Sequence, residues 1–275
     1  MTTEFNKIKF DIIILAGQSN AIGSGIGDTT TPFVASNNIY QLKDVYDISF
    51  KTDKNDNVYL DYKTPFCFKI EKAEERKNEQ GQKIGCFGLN FCNLYEKTYL
   101  QNNRKILLLL AAVGGTGFAK KQWGINDCLF IRMTEMISYA LSLNPENRVV
   151  AFLWHQGEHD AFENPELNKE QRYNFYYSAL KALIQNTREN CGNIPIICGN
   201  FTSEWGKDYT EQLTAISNAT IDICNESGNA AFVDLSDLPS NNQIVGNGDT
   251  IHFSRQSLSI AGKRYFDAFS QLKNN

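Results

Sequence analysis

The stretch FDIIILAGQSN, residues 10–20, decides how this chain is read. Phe10 to Ala16 is almost wholly apolar and does not alternate. A short run of that kind suits a strand buried on both faces, as in a parallel sheet. It then breaks into Gly17-Gln18-Ser19-Asn20, which is small and polar. Four further runs have the same character: Ile106–Val113, Val149–Trp154, Ile194–Cys198 and Ala230–Val233.

Between and after these runs the apolar spacing becomes helical. Leu129, Met133, Met136, Ile137, Ala140 and Leu141 recur every three or four residues. So do Tyr173, Tyr176, Tyr177, Leu180, Leu183 and Ile184, then Leu213, Ile216, Thr220 and Ile223, then Leu258, Ala261, Tyr265, Phe266, Phe269 and Leu272. Strands alternating with helices predict a three-layer α/β/α sandwich around a parallel sheet of about five strands. There is no repeat and no clear linker, so one domain over residues 1–275 is expected. Tyr40–Tyr62 reads as a short strand plus an irregular loop. The charged stretch Glu71–Lys83 reads as an exposed loop.

Composition excludes several classes of function. The chain has 275 residues, 42% hydrophobic and 21% charged, with a formal net charge of −4. That is ordinary for a globular protein and offers no basic footprint for nucleic acid or an anionic membrane surface. The apolar run Ile12–Ala16 is too short for a secretory signal, and no stretch is long enough to span a bilayer. Seven scattered cysteines without a CxxC pair read as reduced thiols, which makes a cytoplasmic location the expectation. Oligomeric state is not legible: no heptad or interface stripe stands out.

In an open parallel sheet, ligands bind at the carboxyl ends of the strands. Residues just after each apolar run are therefore the first candidates. Those clusters are Gly17-Gln18-Ser19-Asn20, Gly114-Gly115-Thr116-Gly117 and His155-Gln156-Gly157-Glu158-His159-Asp160. Asp249-Thr250-Ile251-His252-Phe253 precedes the last helical segment. Their chemistry is complementary. A serine hydroxyl needs a base to take its proton, and His252 is suited to that. Asp249, three residues earlier, can orient the imidazole; Asp234 and Asp237 are the alternatives. The Ser19 N–H, a glycine N–H from Gly114-Gly115 and the Gln156 side-chain amide are suitable donors to an oxyanion.

These blocks resemble the SGNH hydrolase superfamily, in the form found in the sialate O-acetylesterase and carbohydrate esterase family six group. GQSNA looks like the first block, AAVGGTGFAKKQW like the second, LWHQGEHD like the third and DTIHFS like the last. The resemblance spans residues 12–254 in order. It implies a flavodoxin-like sheet, with Ser19 as nucleophile and His252 and Asp249 as base and acid. It implies Ser19, Gly115 (or Gly114) and Gln156 as the oxyanion hole. Gln18, Gly114, Trp123 and Glu158 fall in substrate-binding or supporting places, as does Asp160, though Trp123 reads equally well as core. The implied substrate is a small acetylated sugar, such as sialic acid or a xylan fragment, with no metal or organic cofactor. Thr250, Ala21 and His159 depart from the usual residues of these blocks and leave the sugar open.

Two other readings compete. His155-x-x-Glu158-His159 has the form of the H-x-x-E-H zinc hydrolase motif. That motif needs both histidines on one helical face, whereas His155 follows an apparent strand and Gly157 interrupts the motif. The other is a catalytically inactive carbohydrate-binding relative, which gains nothing here because every triad candidate is present.

Overall fold

The computed structural model describes residues 4–55 and 58–274; Met1–Thr3, Asp56, Asn57 and Asn275 lie outside the described residues. Nine strands are described: β1 (Lys9–Gly17), β2 (Ile39–Asp44), β3 (Ser49–Thr52), β4 (Val58–Asp61), β5 (Phe68–Lys72), β6 (Arg104–Leu110), β7 (Arg148–His155), β8 (Ile196–Gly199) and β9 (Ala230–Val233). The helices are α1 (Ser19–Ile22), α2 (Phe87–Thr98), α3 (Cys128–Ser142), α4 (Glu158–Phe162), α5 (Lys169–Cys191), α6 (Ser203–Gly206), α7 (Thr210–Glu226), α8 (Asn241–Val245) and α9 (Arg255–Asn274).

The main sheet has seven strands in the order β5-β2-β6-β1-β7-β8-β9. Strands β2, β6, β1, β7, β8 and β9 run parallel, and β5 closes one edge antiparallel to β2. The sheet is thus larger than the expected five strands and mixed at one edge. Tyr40–Tyr62 holds most of β2 and a separate β3–β4 hairpin, not one strand and a loop. Glu71–Lys83 is only partly the exposed loop expected. Its Glu75 is buried and accepts two hydrogen bonds from Arg255 at 2.6 and 2.8 Å.

Strand β1 lies at the centre, and its side chains divide the core. Phe10, Ile12 and Ile14 pack on one face with Phe152 and Trp154, against Met133 and Met136 of α3, Leu180 of α5 and Ile216 of α7. Ile13 and Leu15 pack on the other with Ile106 and Leu108, against Phe91 of α2 and Tyr265 and Phe269 of α9. Both faces are covered, which is why the run does not alternate polar with apolar. The expected helical segments fall in α3, α5, α7 and α9. Among the described residues, no helix is long and apolar enough to cross a membrane.

Candidate active site

The site forms at the carboxyl ends of β1, β6 and β7, the three central strands. The chain leaves β1 through Gly17, whose φ is +122°. A Cβ there would stand 2.0 Å from the His155 carbonyl oxygen. Only glycine fits so close an approach. The Gln18 N–H donates to that same carbonyl at 2.9 Å. Ser19 follows at once as the first residue of α1.

His252 comes from the far end of the sequence. Its Nε2 lies 2.9 Å from Ser19 Oγ. Its Nδ1 lies 2.9 Å from Asp249 Oδ2, and the His252 N–H donates to Asp249 Oδ1 at 3.2 Å. Asn241 donates to Asp249 Oδ2 at 2.8 Å. Burial alone would raise the Asp249 carboxyl, but His252 and Asn241 outweigh it and hold it below the ordinary carboxylate range. The two alternative orienting acids are engaged elsewhere. Asp237 pairs with Arg264, and Asp234 accepts from Asn200 and the Ser236 N–H.

Gly114 and Gly115 sit beside the nucleophile. A Cβ on Gly114 would lie 3.7 Å from Ser19 Cβ, and one on Gly115 would meet the Phe50 ring at 3.4 Å. Among the described residues, the N–H groups of Ser19, Gly114 and Gly115 have no acceptor. Gln156 is buried, and its Nε2 donates to Asp160 Oδ2 at 2.8 Å. The second amide hydrogen is shared between Thr116 O at 3.1 Å and Gln18 Oε1 at 3.2 Å. The amide therefore lies between the residue before Ser19 and the residue after Gly115. Those two contacts are long, so an oxyanion can compete with them.

Asp160 anchors the loop after β6. It accepts from the Phe118 and Ala119 N–H groups at 3.0 and 2.7 Å as well as from Gln156. Burial dominates these bonds and raises its carboxyl to about 6. Glu158 is fully buried and accepts from Asn20 Nδ2 at 2.7 Å. Burial would raise it, yet His155, with Nε2 at 3.4 Å, and Asn20 bring it below its ordinary value.

Trp123 does not wall a cleft. It is 0% exposed, packs edge-on against Trp154, and donates its indole N–H to Thr116 Oγ1 at 2.9 Å. Its part is to steady the glycine loop from below. The zinc-motif geometry is not formed either. His155 ends β7 while His159 sits on α4, and His155 Nδ1 faces the Tyr265 hydroxyl at 3.1 Å. Among the described residues, no group of three or more potential ligands is arranged to hold a metal ion.

Asn20 stands in the first polar cluster, where the sequence assigns it no role, yet it joins three segments. Besides Glu158 it donates to Ile251 O at 3.2 Å, and it accepts from the Phe253 N–H at 3.0 Å. It therefore brackets His252 on both sides. Thr202 adds a bond to Thr250 O at 2.6 Å.

Residues 9–271 match the family described as carbohydrate esterase, sialic acid-specific acetylesterase. The chain belongs to this family. A probable 9-O-acetyl-N-acetylneuraminic acid deacetylase of Escherichia coli (strain K12) is 23% identical over 137 residues, which is 43% of this chain and 42% of that one. The crystal structure of NanS superposes with a TM-score of 0.68 at 17% identity, over 97% of this chain and 98% of the other. A protein of Arabidopsis thaliana superposes with a TM-score of 0.67 at 19% identity, over 96% and 98%. At such identities these two likenesses speak for the fold. For this acetylesterase family member, the chemistry must be argued from its own residues.

Proposed function

We propose that the chain, acting as one domain, hydrolyses O-acetyl esters on carbohydrates through a Ser-His-Asp mechanism. One observation carries the reading. Three side chains, with Ser19 and His252 separated by 233 residues, meet in a relay at 2.9 Å from Ser19 Oγ to His252 Nε2 and 2.9 Å from His252 Nδ1 to Asp249. Family membership supplies the ester class.

Ser19 Oγ attacks the acetyl carbonyl carbon while His252 Nε2 takes its proton. Asp249 holds the Nδ1–H and stabilises the imidazolium. The oxyanion is met by the Ser19 N–H, the N–H of the Gly114–Gly115 peptide, and the loosely held amide hydrogen of Gln156. His252 then protonates the departing sugar oxygen, leaving an acetyl-enzyme. Water, deprotonated by His252, attacks this ester, and acetate leaves as Ser19 regains its proton.

The test is release of p-nitrophenol from p-nitrophenyl acetate by wild type and Ser19→Ala, each with and without EDTA. The wild type is expected to turn over in EDTA. Ser19→Ala should keep its circular dichroism spectrum and lose on the order of 10⁶-fold in kcat. Turnover by Ser19→Ala comparable to wild type would remove the mechanism. Loss in EDTA with rescue by zinc would return the histidine-metal reading.

A further inference from the structure

Where the loop after β6 passes Ser19, it has no side chain. A Cβ on Gly114 would lie 3.7 Å from Ser19 Cβ and 3.9 Å from Ile22 Cδ1. Gly114 and Ile22 also border a cavity of about 450 Å³. That is within the range of small-molecule sites, roughly 300–1,000 Å³. A side chain at position 114 would stand between the nucleophile and this cavity, and glycine leaves that space free.

The floor of the cavity is apolar. It is built from the carboxyl ends of β1 and β6 and the first turn of α2. Leu15, Leu89 and Leu108 are at most 1% exposed there. Leu110, Ala112 and Val113 carry the apolar surface on to Gly114. Burial pushes the Cys86 thiol up to about 11, so this part of the wall is uncharged at neutral pH. The charged lining is of two kinds. Asp47, Glu74, Arg76 and Lys77 are exposed and solvated. The others are held in pairs: Arg132 with Asp44, Lys43 with Glu71, and Glu75 with Arg255. A group lying on the floor therefore meets hydrocarbon.

The reaction itself sets which part of an ester faces this floor. His252 gives its proton to the departing oxygen, so the alcohol must leave beside His252. The His252 loop is tied to the β8 side of Ser19, because Thr202, just after β8, donates to Thr250 O at 2.6 Å. The cavity lies on the β6 side, and β6 and β8 stand on opposite sides of β1. With the alcohol on the first side, the acyl substituent points to the second. An acetyl methyl is too short to leave Gly114. Neighbouring strands lie about 4.8 Å apart, so a butyryl or hexanoyl chain is long enough to pass from Ser19 across the end of β6. Each methylene buried there is worth about 4-fold in affinity.

We propose that this cavity is an acyl-chain site, and that the protein hydrolyses butyryl and hexanoyl esters as well as acetyl esters. This rests on the acetylesterase reading and widens its acyl class. The bond from Ser19 Oγ to the acyl carbon forms as the bond from that carbon to the alcohol oxygen breaks, and the alcohol takes the proton from His252. Water, deprotonated by His252, then releases the carboxylic acid and restores Ser19.

The experiment compares kcat/KM for p-nitrophenyl acetate, butyrate and hexanoate, which share one leaving group and differ only in the acyl chain. From acetate to butyrate, kcat/KM of wild type should rise on the order of 10-fold. Ala112→Leu and Leu110→Phe fill the floor at two places. In either variant that keeps its circular dichroism spectrum, the ratio of hexanoate to acetate should fall on the order of 10-fold. Butylboronic acid should inhibit wild type more tightly than methylboronic acid, a measurement that needs no variant. A kcat/KM that falls with each added methylene overturns the proposal. So does a ratio that holds in both variants, or equal inhibition by the two boronic acids. Cleavage of acetate alone ends the acyl-chain site and leaves the acetylesterase reading standing. Cleavage of the longer esters through Ser19, with acetate untouched, does the reverse.

Discussion

Strand β1 begins in one buried polar cluster and ends in another. At its start Asp11 is 0% exposed. It accepts from Arg104 Nε at 2.7 Å, Arg148 Nε at 2.6 Å and the Tyr95 hydroxyl at 2.8 Å. Arg104 also donates to the Phe10 and Glu146 carbonyls. Both oxygens of Asp11 are satisfied from within. At the other end, among the described residues, the N–H groups of Ser19, Gly114 and Gly115 have no acceptor, and Glu158 Oε2 is buried without a hydrogen-bond partner. Buried polar groups are normally satisfied, so unsatisfied ones call for an explanation. The first cluster is closed and clamps three strands. The second leaves donors unmatched where a substrate oxygen would stand.

The sharpest way to break this comparison is to make the same substitution at both ends. Asp249→Asn should lower kcat/KM on the order of 10⁴-fold, since an amide favours the wrong imidazole tautomer. Its melting temperature should stay near wild type, because Asp249 and His252 keep about a quarter of their side-chain surface exposed. Asp11→Asn should do the opposite. It leaves Arg104 without its counter-charge in a buried place, and removing one partner of such a pair costs about 3–5 kcal/mol. Activity per folded molecule should remain. Denaturant unfolding and ester hydrolysis on both variants check this; two variants with the same profile would erase the distinction.

The same contrast explains what could be read in the sequence. Strands β1, β6 and β7 were legible because each carries a continuous apolar run buried on both faces, with its charged residues gathered near the strand start. Strand β5 was not, because its edge position leaves it partly exposed and its sequence, FKIEK, is mostly polar. Helix α2 escaped because FGLNFCNLYEKT opens on poor helix formers, although Phe87 to Cys92 is buried along its whole length. The blocks around Ser19, Gly115, Gln156 and His252 stood out as polar breaks after apolar runs. Asn20 and Asn241 did not stand out as supports. Their partners lie up to 233 residues away, and no local pattern encodes such a bond. Trp123 left cleft and core open in the sequence, since an indole reads alike in both, and the structure buries it beneath the glycine loop.

A smaller effect sharpens the boundary between support and chemistry. Gln156→Ala should lower kcat on the order of 10²-fold if its shared amide hydrogen turns to the oxyanion. Measured with p-nitrophenyl acetate, the loss should lie in kcat with KM little changed. A loss confined to KM would assign Gln156 to substrate binding, and no loss would assign the oxyanion to the two backbone donors alone.

The smallest effect concerns Asp160, where support and chemistry meet. Its carboxyl stands at about 6 against an ordinary 3.8, so the folded protein holds this proton more tightly than the unfolded chain does. Its contribution to stability is therefore full below pH about 4, falls as pH rises toward about 6, and is constant above that. The whole change is no more than about 3 kcal/mol. Asp160→Asn cannot ionise, and its amide meets the Phe118 and Ala119 N–H groups with one acceptor oxygen instead of two. That mismatch weighs equally at every pH. Urea unfolding at pH 4.5 and 7 should then show the variant gaining on wild type as pH rises. A pH-independent difference would mean that Asp160 does not titrate in this window. The result bears on function because the ionised carboxylate grips Phe118, Ala119 and Gln156 together. At neutral pH the fold then gives up stability to hold the glycine loop and the Gln156 amide in one fixed relation to Ser19.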